Sequence, residues 1–269
     1  MMRKRFLHSF ILPALVLAAG AAAAGCSVKE DREPCPAVLH VSYAGRPEVA
    51  PVVGLMAWDG VTERFRTAVD FARHTPYWDK MVRKGVLDLA AWNAGTQVSA
   101  NGRHVLIPVG SQCDSLYAFH TIVDATGEDA YAEVSLLKQF ATVTVVFGSL
   151  SGGLDGSVLV AGGNTCGFDL ADFSPVPGTF RFEPRPEAGA SSVSFRVPRQ
   201  SDDSLTLSGI VGGVEISPIP LGRYIALMGY DWTEPELRDI TVRIDLVIGS
   251  VRIDVEEWED GAWFDLVQL

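Results

Sequence analysis

The sequence predicts an all-β protein made of two tandem β-sandwich domains, and three observations support this prediction. Nearly every apolar run is short, alternates with polar residues and ends at a cluster of Gly, Pro, Asn or Asp. No alternation of strands with long helices is visible, which argues against an α/β enzyme fold. The order strand, loop, strand at residues 38–43 and 53–58 also recurs at residues 142–147 and 158–163.

Residues 1–25 have the pattern of a lipoprotein signal peptide. A basic start at residues 2–5 precedes a stretch without charge at residues 6–25, which ends in small residues directly before Cys26. Cys26 is then the acylated first residue of the mature chain. An uncleaved membrane helix is the alternative, since twenty uncharged residues could just span a bilayer.

Residues 26–36 are predicted to form a lipidated, flexible tether. Lys29, Glu30 and Asp31 match the signal of one lysine and two acids that sends lipoproteins of Bacteroides-like bacteria to the outer cell surface. Removal of residues 1–25, with their three basic side chains, leaves 19 basic and 33 acidic residues and a net charge of −14. This charge excludes nucleic acid as a partner and disfavours anionic lipid surfaces, so we expect attachment through the acyl chains.

The predicted N-terminal domain spans residues 37–130. In its first strand, Val38, His40 and Ser42 face one way, while the residues between them face the other. Two short helices are predicted at residues 76–84 and 111–119. The remaining predicted strands lie at residues 52–58, 63–71, 85–92 and 103–109.

The predicted C-terminal domain spans residues 131–269, and a split in the Gly-rich stretch 149–156 is the alternative boundary. Its clearest pattern is a hairpin, in which two alternating runs meet at the tight turn Gly249-Ser250, followed by a last strand at residues 263–268. The predicted strands lie at residues 131–137, 140–147, 157–161, 178–182, 193–197, 205–211, 214–219, 223–230, 239–248, 250–258 and 263–268.

The search for reaction chemistry predicts no catalytic residue, no cofactor and no metal site, and therefore no enzyme. No histidine stands at metal-ligand spacing, and neither a nucleophile elbow nor a phosphate loop occurs. Cys35, Cys113 and Cys166 could form one disulfide and leave one thiol, or could all be free.

The tryptophans fall into two groups. Trp58, Trp92 and Trp258 end apolar strands and are predicted core residues. Tyr77 and Trp78 lie between presumed strands, where they could contact a ligand or pack on their own domain.

Four segments resemble the FimB/Mfa2-type fimbrial subunits, the lipoproteins that anchor type V pili in Bacteroidales. The run Cys-Ser-Val-Lys-Glu-Asp-Arg-Glu-Pro-Cys-Pro and the strand after it resemble the start of these proteins, and Leu-Met-Ala-Trp-Asp-Gly resembles their second strand and turn. Asp-Ser-Leu-Tyr resembles an internal family segment, and residues 237–258 resemble the last hairpin and its Trp. Ala37 departs from the family, which often has a second Cys there. These segments lie at residues 26–36, 55–60, 114–117 and 237–258.

The resemblance implies two transthyretin-like β-sandwich domains and a palmitate-type lipid anchor in the outer membrane, at the base of a surface-exposed fimbrium. The protein would anchor the fimbria and limit its assembly. Its partners would be pilin subunits, bound by β-strand addition. The candidates for strand exchange are Trp263, Phe264, Leu266 and Val267, although an intramolecular edge strand is the alternative for this segment.

The family's strand exchange also makes a prediction about the first strand. In stalk subunits a protease removes the first strand, and a neighbour's C-terminal segment fills the groove. An anchor is expected to keep residues 37–43, whereas cleavage at Arg46 would make the chain a polymerising subunit. Arg32, on the other side of the strand, is the second possible site for a trypsin-like protease.

Two other function classes stay open. The chain could be a surface adhesin or a module that binds glycan or a host protein, including a pilus-tip subunit, and an aromatic surface around Trp78 would favour this. It could also be a hydrolase with dispersed acids, which would require a deep cleft with two facing carboxylates.

Overall fold

The computed structural model describes residues 35–93, 102–148, 153–245, 250–255 and 262–265. The described residues form strands with one short α-helix and a 3-10 helix at Phe71–Arg73, which confirms the all-β sandwich prediction. The first strands are β1 Ala37–Tyr43, β2 Val52–Asp59, β3 Thr62–Asp70, β4 Trp78–Val82, β5 Val86–Asn93, β6 His104–Leu106, β7 Tyr117–Asp124, β8 Asp129–Val134 and β9 Leu137–Lys138. The others are β10 Phe140–Gly148, β11 Val158–Asp169, β12 Pro175–Phe182, β13 Ser192–Pro198, β14 Thr206–Val211, β15 Val214–Ile219, β16 Ile240–Asp245, β17 Ser250–Val255 and β18 Ala262–Asp265, and the helix is α1 Leu221–Leu227.

Two sheets from the first part of the chain enclose one apolar core. One sheet has the strand order β4-β1-β8, and the other has the order β3-β2-β5-β7-β9. Alternation along each strand turns one row of side chains inward, as in β8, where Ala130, Ala132 and Val134 are buried and the residues between them are exposed. This core joins residues from Ala37 to Phe140.

Two further sheets enclose a second core. They have the orders β13-β10-β16-β17-β18 and β12-β11-β14-β15, and β6 also pairs with β11. The second core joins residues from Ala141 to Ile244 and includes one face of α1. Each pair of sheets therefore has the two-layer arrangement of a sandwich.

The two halves repeat one pairing pattern, as the sequence echo predicts. β1 pairs with β4 antiparallel and with β8 parallel, and β10 pairs in the same way with β13 and β16. In each half the first strand thus lies between two later strands of its sheet. The division into domains at residues 130 and 131 stays a prediction; this boundary falls within β8, and β6 from the first half joins a sheet of the second.

Three predictions of local structure are wrong. Residues 76–84 contain the strand β4, in which Trp78 and Val82 turn toward the core, rather than a helix. Residues 111–119 form an irregular segment and the start of β7, which pairs with β5. Residues 223–230 lie mostly in α1, because Leu221, Tyr224 and Ile225 recur at helical spacing on its buried face.

Two of the three predicted core tryptophans are confirmed. Trp58 and Trp92 are buried in a third cluster, together with Phe168 and Leu170. Gly54 permits this packing, because a Cβ atom there would lie 2.3 Å from the Trp92 ring. Trp258 lies outside the described residues. The described residues contain no helix with the length and hydropathy that a bilayer crossing requires.

Candidate functional site

The first strand, β1, is built into the core of the protein. Its backbone pairs with β4 on one side and with β8 on the other. Ala37, Leu39 and Val41 point inward and are fully buried. Full burial of a Leu or Val side chain stabilises a fold by about 1.5–3 kcal/mol, so loss of this strand would open an apolar groove between its two neighbours.

Arg46 follows β1 and is held on several sides. Its Nη1 donates to the Leu136 carbonyl at 2.9 Å, its Nη2 to Glu236 Oε1 at 2.5 Å, and its Nε to Glu48 Oε2 at 3.2 Å. The guanidinium also lies 4.9 Å from the centre of the Tyr117 ring. Burial opposes the charge, but the Glu236 and Glu48 carboxylates more than compensate and raise the pKa of Arg46.

The backbone after Arg46 is not extended. The Arg46 carbonyl accepts a hydrogen bond from the Val49 N–H at 3.0 Å, and Pro47 occupies the next position in this turn. A serine protease binds an extended backbone and needs room on the leaving amine. Neither the turn nor the proline ring meets these requirements, and the Arg-Pro dipeptide is the sequence signal that identifies this bond as a poor cleavage site.

A buried arginine fixes the loop that carries the carboxylate partner of Arg46. Arg199 is 3% exposed, and its Nε donates to Gln139 Oε1 at 2.9 Å. Its Nη2 donates to the carbonyls of Glu234 at 2.6 Å and Pro235 at 3.1 Å, and its Nη1 donates to the Trp232 carbonyl. Burial lowers the pKa of Arg199. These bonds hold the backbone directly before Glu236.

The predicted strand-exchange segment lies at the edge of a sheet. β18 pairs antiparallel with β17, with Trp263 opposite Arg252 and Phe264 opposite Val251. Within the described residues, no strand pairs with the other edge of β18. Leu266 and Val267 lie outside the described residues.

The predicted membrane-proximal residues cannot be placed in the fold. Cys26, Lys29, Glu30 and Asp31 lie outside the described residues.

The three other cysteines carry free thiols: Cys35 is exposed, Cys166 is partly buried, and Cys113 is buried. Burial raises the pKa of the Cys113 thiol to about 12, so it is unreactive at neutral pH.

Tyr77 and Trp78 have different environments. Trp78 is partly buried against the first core, with its ring 5.9 Å from that of Phe65. Tyr77 is 41% exposed and contacts two other rings, His40 at 5.8 Å and Tyr131 at 5.7 Å.

Sequence reasoning missed His40 and Tyr131 as members of this group. Alternation turns both outward, but only the parallel pairing of β1 with β8 brings two residues so far apart in sequence together. Across the described ranges, no group of three or more His, Cys, Asp or Glu side chains is placed to hold a metal ion.

The comparisons with known proteins find similarity in structure. No protein-family model matches the chain, and no curated protein sequence does either. The fimbrial anchor protein Mfa2 from Porphyromonas gingivalis superposes with a TM-score of 0.59 at 14% identity, covering 83% of this chain and 98% of that one.

Two further solved structures are similar. A candidate polysaccharide-binding protein from Bacteroides thetaiotaomicron has a TM-score of 0.59 at 13% identity, covering 87% of this chain and 99% of that one. A candidate adhesin from Bacteroides ovatus has a TM-score of 0.53 at 14% identity, covering 90% and 99%. The chain therefore shares its fold, over almost the whole length of each relative, with the Mfa2 fimbrial anchor protein and with these Bacteroides proteins.

Proposed function

We propose that this chain is a surface-exposed lipoprotein of the outer membrane that anchors a type V fimbria and limits its assembly. The leader at residues 1–25, directly before Cys26, supports the lipid anchor, and Lys29, Glu30 and Asp31 support export to the surface. The fold shared with a fimbrial anchor protein supports the role in a fimbria.

The observation that carries the proposal is the position of β1. A subunit that accepts a neighbour's strand must offer an open groove with free backbone groups. Here β1 fills the place between β4 and β8, and Leu39 and Val41 are fully buried. A chain that keeps β1 accepts no strand at this place and so ends the polymer.

The surroundings of Arg46 support retention of β1. Cleavage by a trypsin-like protease would require the guanidinium to leave Glu236, Glu48 and the Leu136 carbonyl and enter the protease pocket. Pro47 would also have to be accepted as the leaving residue. Both requirements disfavour release of the first strand.

We place the pilin contact at the sheet edge formed by β18. Strand addition there would use the backbone edge of Ala262–Asp265 for affinity, with alternate side chains fixing the register. A second mode, in which β18 leaves β17 and enters a pilin groove, uses the same residues. Cross-linking between cysteines placed at Asp265 and at its partner Ser250 distinguishes the two modes, because only the second mode separates these residues.

Replacement of the lipidated cysteine tests the anchoring role. In cells that produce the protein, Cys26→Ala is expected to move fimbriae from the cell-bound fraction into the culture medium, with Cys35→Ala as the matched control at an exposed, free thiol. Immunoblots of both fractions measure the shift. Fimbriae that stay on the cells in Cys26→Ala, at unchanged protein levels, would contradict the anchoring role.

Adhesion is the second candidate function. It is favoured by the exposed rings of Tyr77 and Tyr131 on one sheet face, and the structural relatives include candidate adhesins and a candidate polysaccharide-binding protein. Adherence of beads coated with the protein to glycan-coated surfaces tests this role without any fimbria. Beads that do not adhere would contradict adhesion through glycans.

A further inference from the structure

The outward face of the sheet β4-β1-β8 carries an exposed aromatic cluster made of His40, Tyr77 and Tyr131. The His40 and Tyr131 rings stack with centres 4.7 Å apart and planes 20° apart. Tyr77 stands nearly perpendicular to both, at 63° and 69°. Tyr131 is 63% exposed, so its outer face lies open to solvent. The core does not require the rings of His40 and Tyr131, because β1 and β8 bury the residues on their opposite faces.

Two aspartates hold the histidine at the centre of this aromatic cluster. His40 Nδ1 lies 2.7 Å from Asp79 Oδ1, and His40 Nε2 lies 3.1 Å from Asp129 Oδ1. Both ring nitrogens therefore face acceptors, an arrangement that suits an imidazolium with two N–H donors. Each carboxylate uses one oxygen in these contacts and keeps the other for a ligand. Both aspartates are more than half exposed.

The groups on this face suit a ligand with hydroxyls. Asp79, Asp129 and Glu133 project from the same face and oppose an anionic ligand. Asp79 and Asp129 are both paired with His40, which compensates part of their charge. A neutral ligand with hydroxyls can pack its C–H groups on the ring faces and donate to the carboxylate oxygens.

We propose that the aromatic cluster, with Asp79 and Asp129, is a binding site for a neutral saccharide. A pyranose ring would stack on Tyr131 against the edge of Tyr77, and its hydroxyls would donate to the two carboxylates. This inference rests on the second candidate function, adhesion, for which it supplies a site and a ligand class. It is independent of the anchoring role.

Calorimetry with defined oligosaccharides tests the site. Maltopentaose, mannopentaose and cellopentaose are titrated separately into the full-length protein in detergent, and at least one is expected to bind. Tyr131→Ala should weaken that binding about five- to tenfold, the effect of losing one aromatic contact. Tyr131→Phe should retain it, because it keeps the ring. Ile122→Ala, at an equally exposed residue on the other sheet, is the matched control.

Three results would overturn the site. They are no binding of any of the three pentasaccharides up to about 10 mM, undiminished binding in a folded Tyr77→Ala/Tyr131→Ala variant, and competition by pentalysine or sialyllactose at equal strength. Circular dichroism shows whether each variant is folded. If the protein adheres to glycan-coated surfaces but the double variant adheres equally well, adhesion stands and this site fails.

Discussion

At the scale of single residues, Arg199 is a buried charge whose hydrogen bonds run to neutral oxygens. Four neutral oxygens accept from its guanidinium, three of them backbone carbonyls of the loop 232–235. A guanidinium matches such an array because its donors lie in one fixed plane. This geometry was out of reach from the sequence, since nothing near Arg199 along the chain marks it as buried.

Replacement of Arg199 is expected to destabilise the protein. Arg199→Met removes the donor to the buried Gln139 Oε1 and to the partly buried carbonyls of Trp232 and Glu234. An unsatisfied buried acceptor costs about 1–3 kcal/mol, so we expect the free energy of unfolding to fall by about 2 kcal/mol or more. Urea unfolding followed by circular dichroism measures the change. Arg185→Met, at an exposed arginine, should change it by less than about 0.5 kcal/mol. Equal effects of the two changes would show that the buried network contributes no stability.

His40 is expected to make stability depend on pH. Hydrogen bonds with Asp129 and then Asp79 raise the pKa of His40 above its ordinary 6.5, and partial burial opposes them. The charged form is thus favoured in the folded state, so its contribution is complete below pH 6.5 and is lost as pH rises through the raised pKa. The stability difference between wild type and His40→Gln should shrink as the pH rises above about 6.5.

Urea midpoints at several pH values measure this difference. Asp129→Asn is the informative control, because it removes one of the two carboxylate charges that favour the imidazolium and should flatten the pH dependence. A difference that stays constant or grows as pH rises would contradict the assigned role of His40.

At the scale of elements, the strands with clear alternation were predictable, and the errors have physical causes. β1 and β10 follow their alternating runs closely. β4 lacks a clear alternation in sequence, because the polar Lys80 lies between Trp78 and Val82 on the same side of the strand, with its Nζ 5.9 Å from the Phe65 ring. In α1 most residues are apolar, so the sequence does not reveal the helical repeat of 3.6 residues. The buried residues of the helix do follow this repeat.

The candidate site was less predictable than the strands. Alternation identifies inward and outward residues, but it does not say which strands are neighbours. The contact of Arg46 with Glu236 joins residues 190 positions apart, and that of His40 with Asp129 joins residues 89 apart. Such contacts depend on the order of strands in the sheets, which a single sequence does not specify.

The segment after β1 is expected to resist trypsin. The Arg46–Pro47 bond should stay intact in the folded protein, while the bond after the exposed Arg83, in the loop between β4 and β5, is cut. Pro47→Ala alone should remain largely protected, because the Arg46 side chain is still held. Pro47→Ala/Glu236→Gln should be cut faster. Mass spectrometry of timed digests identifies the bonds.

The outcome depends on the comparison of the two variants. If Pro47→Ala is cut as fast as the double variant, proline alone protects this bond, and the contacts of Arg46 contribute nothing to retention of β1.

At the scale of the whole molecule, the two sheet pairs repeat one plan in which an early strand lies between two later ones. This plan makes β1 both the first described strand and an inner strand of its sheet. The segment directly before β1 holds the predicted lipid attachment, so an intact β1 links the membrane anchor to the folded protein. Loss of β1 would remove the anchor and open the groove together.

Mass spectrometry of the native protein purified from cell envelopes tests this claim most directly. The account predicts a mature chain that begins at an acylated Cys26 and still contains residues 37–46. A chain that begins at Pro47, without lipid, would contradict it, because the first strand would then have been removed and the protein would be a polymerising subunit.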